Sequence, residues 1–531
     1  MRKTLPLLLL IIGISIPALF LRLGSLPLSG SDEPRYARIA QEMGEQGSWV
    51  TPLLEGKPWL EKPPLYYWIT IPQYAIFENA ETAARAGSAL CALLTALAVF
   101  WVGSKIYTAR AGAMGALILL TSLGLAGFGR SASTDMAFTC FLTLAMAVLA
   151  VAVEKPIGIR VLAAYVFLGI AVLGKGPVAV ILAAGTLIFF WYFDERGGSL
   201  RRFRVITGVI VTAAVSLPWF WFAFVENGYA FISTFFINHN LARYVTDIHQ
   251  HVQPFYYYLP VLLALMFPWS GWLVMLFPKS PLKGFLRRSQ WHRGTLFLAC
   301  WFLFPILFFS FSGSKLGGYI LPSLPPLALL LGGVLSSWME GPIDRFRFRA
   351  GIVLHLALSM GMAIAAPIFF NKDYGGNWKT GLLISAAIII PAVAVFIYGI
   401  RGKCGKAFGA TVVQGLATVV VVALFAFPIL GEYHSTKTIA HKALELRYEE
   451  EPIVTYRFFH HSLHYYTGYR VSRKITTMES LRAFLAEHPR SLVVTGIEGM
   501  SEIEASGEIR ATMLGEQGNF RLLRLSPAPL F

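Results

Sequence analysis

Apolar runs of about 20 residues alternate with short polar segments from residue 5 to residue 430. A helix needs roughly 20 such residues to cross a ~30 Å hydrocarbon core. The pattern predicts thirteen helical segments: 5–24, 85–104, 112–129, 134–153, 160–174, 176–193, 204–224, 256–277, 294–312, 317–337, 351–370, 379–399 and 408–430. Three divisions fall inside longer tracts. Residues 161–193 carry one charge, Lys175. As a single helix that tract is ~50 Å long, too long for one crossing. It is therefore expected to be a hairpin with Gly174-Lys175-Gly176-Pro177 at its tip. The same reasoning splits 111–153, whose charges are Arg130 and Asp135, and 294–338, whose charge is Lys315. Lone charges gathered at hairpin tips point to a site.

Two regions break the apolar pattern. In the first loop, 25–82, Tyr36, Ile39, Ala40 and Met43 recur at helical spacing over 34–46, with charges on the other face. Pro34 suits a first helical turn, and Ser31 or Asp32 is the expected cap. Such a helix is too polar to span and suits the membrane interface. A second helix is predicted from Pro63-Pro64, with Tyr66, Tyr67, Trp68, Tyr74 and Phe77 as an interfacial aromatic set. Between them, Gly47 to Glu61 reads as an irregular crossing. From Glu432 the chain turns polar. Strand-like runs at 452–456, 491–496 and 520–525, with helical stretches near 459–466 and 478–487, predict a small soluble α/β domain over 432–531. Its role is not legible in its residues.

Only 14% of the 531 residues are charged, against about a quarter in soluble domains, so lipid is the expected solvent. The net charge of +16 does not indicate nucleic acid, because the basic residues sit in short segments between apolar runs. Counted alternately from Arg2 and Lys3, one set of loops holds 21 Lys and Arg and the other short loops hold 6. The N-terminus is then expected in the cytoplasm, with every tip charge, the first loop and the C-terminal domain on the opposite face. The first run reads as a retained span rather than a cleaved leader. Cys91, Cys140, Cys300 and Cys404 lack metal-ligand spacing, and buried thiols are expected.

Asp32, Glu61 and Lys62 of the first loop thus share a side with Asp135, Lys175, Arg243 and Lys315. Carboxylates and cations meeting at one interface suit group transfer from an anionic lipid carrier. A transporter also places charges in the membrane, but it predicts inverted repeats and midplane charges. No internal repeat is evident.

The run Asp32-Glu33-x-Arg35-Tyr36-Ala37-x-Ile39-Ala40, then Trp49-Val50-Thr51-Pro52, then Glu61-Lys62-Pro63-Pro64-Leu65-Tyr66-Tyr67-Trp68 resembles the signature of bacterial glycosyltransferases with the GT-C fold. The similarity is to the 4-amino-4-deoxy-L-arabinose lipid A transferases and the dolichyl-phosphate-mannose protein mannosyltransferase superfamily. Ala84-Arg85-Ala86-Gly87, Thr134-Asp135-Met136, Gly174-Lys175-Gly176-Pro177, Phe267-Pro268-Trp269-Ser270 and Ser314-Lys315-Leu316 agree in order. The resemblance covers roughly 30–325 and implies a mainly α polytopic membrane enzyme.

The implied donor is a sugar on undecaprenyl phosphate, with no nucleotide cofactor. The implied acceptor is lipid A, another envelope glycan or, as in the mannosyltransferases, a protein. A monomer in the bacterial inner membrane is expected. Negative charge grows on the departing lipid phosphate, and fixed cations aimed at it stabilise the transition state. Lys62, Lys175, Arg243 and Lys315 are the candidates, with Tyr319 as a hydrogen-bond donor. Asp32 is the first candidate for the catalytic carboxylate, as a general base or an orienting group. Asp135 is the second, holding a cation or the acceptor. Glu61 either binds a sugar hydroxyl or amine or joins His239 around a divalent ion.

Overall fold

A computed structural model describes residues 4–196, 202–242, 253–277 and 292–527. Among the described residues, nine helices are long and apolar enough to cross a membrane, from Ala80–Ile106 to Cys404–His434. Two further pairs, Ala109–Leu120 with Leu123–Gly129 and Phe255–Met266 with Trp269–Leu276, are bent by 63° and 117°. Leu5–Phe20 and Val178–Phe193 are shorter apolar helices. Each of the thirteen apolar segments therefore has a counterpart; among the described residues nine are unbroken spans by length and composition, and eleven if each bent pair is one span. The chain is a multi-pass membrane protein.

All three inferred divisions are real breaks. Gly176, at φ +78°, turns the chain between helices Leu162–Lys175 and Val178–Phe193. Helix Thr134–Glu154 starts after Ser133, whose hydroxyl accepts from the Asp135 amide at 3.1 Å. Helix Arg293–Ser310 stops short of Lys315, and a 3₁₀ segment, Gly317–Ser323, leads into Leu324–Glu340. Small residues let neighbouring helices touch, as expected where no hydrophobic effect drives association. A Cβ on Gly103 would lie 2.5 Å from the Gly112 Cα.

The first loop is more ordered than its sequence implies. Its first helix runs Asp32–Gln46 and buries Tyr36, Ile39, Ala40 and Met43 as predicted. Ser31 holds the cap position but makes no side-chain capping bond, and Asp32 lies inside the first turn, 2.6 Å from Arg35. The expected irregular crossing contains a hairpin, β1 (Leu53–Leu54) against β2 (Lys57–Pro58). Buried Glu42 fixes its turn by accepting from the amides of Glu55 and Gly56. In the second helix, Leu65–Ile76, the aromatic set divides between buried and surface positions: Phe77, just past its end, is exposed and Trp68 and Tyr74 are half-buried. Tyr66 and Tyr67 are buried. Tyr66 Oη donates to the Ala84 carbonyl at 2.8 Å and Trp68 Nε1 to the Trp49 carbonyl at 3.0 Å.

The C-terminal sheet has the order β4-β3-β5-β7-β6, from β3 (Ile453–Tyr456), β4 (Val471–Ile475), β5 (Ser491–Gly496), β6 (Ile509–Gln517) and β7 (Phe520–Pro527). Strand β3 pairs in parallel with β4 and β5, while β7 is antiparallel to β5 and β6. The expected strands are the three central ones. Strands β4 and β6 show no strand-like run in the sequence, because edge strands carry charge, here Arg473, Lys474 and Arg510, which hides their alternation.

Candidate active site

Glu33, next to Asp32, fixes the start of the interfacial helix. Its carboxylate receives Arg85 Nε at 2.9 Å and Nη2 at 2.6 Å, and the Ala132 amide at 2.8 Å. Arg85 is 1% exposed, and its remaining N–H groups reach the Leu23, Leu26 and Pro27 carbonyls. One bidentate pair thus joins the first loop, helix Ala80–Ile106 and the segment that enters Thr134–Glu154. Bidentate geometry supplies direction as well as energy. Arg130 is architectural too: its guanidinium donates to the carbonyls of Ala18 and Leu21 at the end of the first helix.

The Asp135 carboxylate is ion-paired with Lys175 and accepts from the Ser133 hydroxyl at 2.9 Å. Lys175 lies at the C-terminal end of its helix and Asp135 in the first turn of its own, where each charge suits the helix dipole. The Lys175 ammonium also sits 5.3 Å from the Phe138 ring centroid and 5.4 Å from that of Tyr319. Gly318 packs so close that a Cβ there would lie 3.1 Å from an Asp135 oxygen. Lys62 is within Coulombic range of Asp135. Lys315 is 7% exposed and donates to the Ser312 carbonyl at 2.7 Å.

Tyr36 is buried within Coulombic range of three carboxylates. Burial and then Asp32 hold its phenol well above the ordinary tyrosine range; Arg35 opposes them, and Asp135 and Glu61 add to the rise. Three acidic residues separated in sequence therefore act on one buried ring. Tyr67 stands beside it, 6.3 Å between ring centroids, with its hydroxyl buried and making no hydrogen bond among the described residues. Neither tyrosine was singled out for chemistry from the sequence; both lie inside the motif runs.

His239 Nε2 lies 3.7 Å from Glu61 Oε1, so the two suggested metal ligands are neighbours. They supply two donors. Among the described residues no group of three His, Cys, Asp or Glu is placed to hold an ion. A catalytic zinc takes three protein ligands and a structural one four. The donor set therefore does not fit a metal by itself, and no step is routed through one. Arg243 lies outside the described residues.

The dolichyl-phosphate-mannose-protein mannosyltransferase family model matches residues 10–233. The chain is 32% identical over 398 residues to the undecaprenyl phosphate-α-4-amino-4-deoxy-L-arabinose arabinosyl transferase of Edwardsiella ictaluri, covering 73% of this chain and 71% of that one. It belongs to that arabinosyl transferase family. The arabinosyl transferase 2 of Pseudomonas fluorescens is 33% identical over 362 residues, 67% of this chain. This chain spans 62% of that relative's length. The crystal structure of ArnT from Cupriavidus metallidurans, bound to undecaprenyl phosphate, superposes with a TM-score of 0.78 over 97% of each chain at 22% identity. The arabinosyl transferase fold thus extends through the C-terminal sheet.

In this arabinosyl transferase family member the C-terminal sheet region docks on the first loop. Tyr466 Oη donates to Glu81 at 2.9 Å and accepts from the Leu28 amide at 2.7 Å. Lys437 pairs with Glu81, and Gln41 Nε2 donates to Tyr465 Oη at 3.0 Å. His461 opens helix His461–Tyr466 within Coulombic range of Arg35 and Asp32.

Proposed function

We propose that this chain moves a sugar, 4-amino-4-deoxy-L-arabinose, from an undecaprenyl-phosphate carrier to lipid A at the periplasmic face of the inner membrane. The relatives' activity supports the reaction class. The loop charges support the orientation, with the N-terminus in the cytoplasm and residues 432–531 in the periplasm. The observation that carries the reading is the Asp135–Lys175 ion pair beside the Tyr319 ring. Asp32, Asp135 and Glu61 lie within Coulombic range of Tyr36, and Lys62 within that of Asp135.

In this reading an acceptor oxygen attacks the anomeric carbon. The bond from that carbon to the lipid phosphate oxygen breaks, and the phosphate leaves with the electron pair. Lys175, Lys62, Lys315 and Arg243 offset the charge that grows on it, and Tyr319 donates a hydrogen bond. Asp135 serves as the positioning residue for Lys175. A phosphate acceptor is already ionised, so Asp32 orients the amine-bearing donor; a hydroxyl acceptor gives its proton to Asp32. Glu61 binds a sugar amine or hydroxyl.

The test is transfer from undecaprenyl-phospho-sugar to lipid A in proteoliposomes. Asp32→Asn is expected to abolish turnover while the protein inserts and melts like the wild type. Wild-type turnover in that variant would remove Asp32 from the mechanism. The match of residues 10–233 to the protein mannosyltransferases favours a second acceptor class. Mass spectrometry of lipid A and of glycoproteins from a deletion strain separates the two.

A further inference from the structure

The soluble domain roofs one polar stripe of the interfacial helix. Asp32, Arg35, Arg38 and Gln41 recur every three residues along helix Asp32–Gln46. Above them lie His461, near Asp32 and Arg35, Tyr469, whose ring centroid is 5.6 Å from the Arg38 guanidinium, and Tyr465, bonded to Gln41. Between the two surfaces is a cavity of about 640 Å³, lined by Arg38, Gln41 and Glu55 from the loop and Tyr465, Tyr469 and Arg470 from the domain.

Charged groups surround the Arg38 side of the cavity. Arg38 donates from Nη1 to Glu45 at 3.1 Å, but its Nε is buried without a hydrogen bond, 3.6 Å from Glu42. His464 Nδ1, next to the cavity, is likewise buried and unbonded, 3.9 Å from Glu55. These nitrogens lie beneath the cavity surface, and the Arg38 guanidinium is held in place between Glu42, Glu45 and the Tyr469 ring. Arg470 is exposed on the rim. Tyr469 is held at φ +61°, a left-handed conformation that non-glycine residues keep where surrounding contacts enforce it. Its amide donates to the His464 carbonyl at 2.8 Å.

We infer that this junction is a second binding site, which takes the distal phosphosugar of a lipid-anchored disaccharide acceptor. The inference rests on the proposed function and gives the soluble domain a role. An interfacial helix lies at the height of lipid headgroups, so an acceptor with its acyl chains in the leaflet presents its sugars there. Arg38 is six residues beyond Asp32, ~9 Å along the helix axis. A disaccharide covers that distance and one sugar ring does not. Arginines meet phosphate, Gln41 and Glu55 meet hydroxyls, and the tyrosine rings offer apolar faces to the sugar.

The test uses full-length protein with the same donor and two acceptors, disaccharide bisphosphate lipid A and its monosaccharide half. Tyr469→Ala and Arg470→Ala are expected to raise KM for the disaccharide about tenfold. The KM for the monosaccharide and for the donor should hold, and Arg470→Lys should recover part of the loss. An unmoved disaccharide KM, or an equal rise for both acceptors, overturns the site. Wild-type protein that glycosylates neither acceptor overturns the functional reading instead. The site is then judged by binding of the deacylated bisphosphate disaccharide, which Tyr469→Ala should weaken and which no binding to wild type would refute.

Discussion

Lys175 and Asp135 form an ion pair that joins the end of one membrane helix to the start of another, with the Tyr319 ring 5.4 Å from the ammonium. Both side chains are largely withdrawn from solvent, so removing one leaves the other without its counter-charge. Lys175→Ala and Asp135→Ala are each expected to lower the melting temperature, and the double variant should recover part of that loss. Affinity for undecaprenyl phosphate should behave differently. It should fall about 10- to 100-fold in Lys175→Ala, in line with a charged hydrogen bond, and stay low in the double variant. Ligand-induced melting shifts in detergent measure both quantities.

Glu33 and Arg85 make the most enclosed ion pair at the base of the first loop. Glu33→Gln leaves a buried guanidinium without an anion, which costs about 3–5 kcal/mol. Arg85→Lys keeps the charge but loses the second N–H to the carboxylate and the bonds to three carbonyls. Both variants should accumulate poorly and melt early, and neither should be rescued by excess donor. Fluorescence-detected size exclusion after heating is the direct measurement.

The contrast between these pairs shows what a single sequence displays. Lys175, Asp135 and Lys315 stood out because each interrupts a long apolar tract, and the ~30 Å limit forces a break beside a lone charge. Glu33 and Arg85 did not stand out, since an acid in a polar loop and a basic residue at a helix start look solvated. Their role depends on a contact 52 residues apart in sequence. Tyr36 was legible as a core position of an amphipathic helix, but not as the ring on which three carboxylates act. The edge strands β4 and β6 were hidden for another reason: exposed edges select charge, and the charge erases the period of two.

Tyr319 allows two contributions to be separated. Its hydroxyl is the proposed donor to the lipid phosphate, and its ring supports the Lys175 ammonium. Cation–π contacts are worth about 0.5–2 kcal/mol. Tyr319→Phe keeps the ring and should lower kcat while donor affinity stays within about twofold. Tyr319→Leu removes both and should also weaken donor binding, by about 2- to 30-fold. Equal donor affinities in the two variants would remove the ring from the argument.

His461 predicts a pH dependence at the junction of the C-terminal sheet region with the first loop. Burial first, then Arg35, His464 and His460, push its pKa down to about 4 from 6.5, and Asp32 opposes them. Between those values the unfolded chain binds the proton and the folded chain does not, so stability rises with pH across this window. The contribution is complete above about pH 6.5 and is lost as pH falls toward about 4. Burial of His460 and His464 acts in the same direction. His461→Gln removes one titrating group and keeps a polar side chain. The fall in melting temperature between pH 7 and pH 4.5 should therefore be smaller in the variant than in the wild type. Parallel curves for the two proteins would show that His461 carries its proton equally in both states, and would separate it from Arg35.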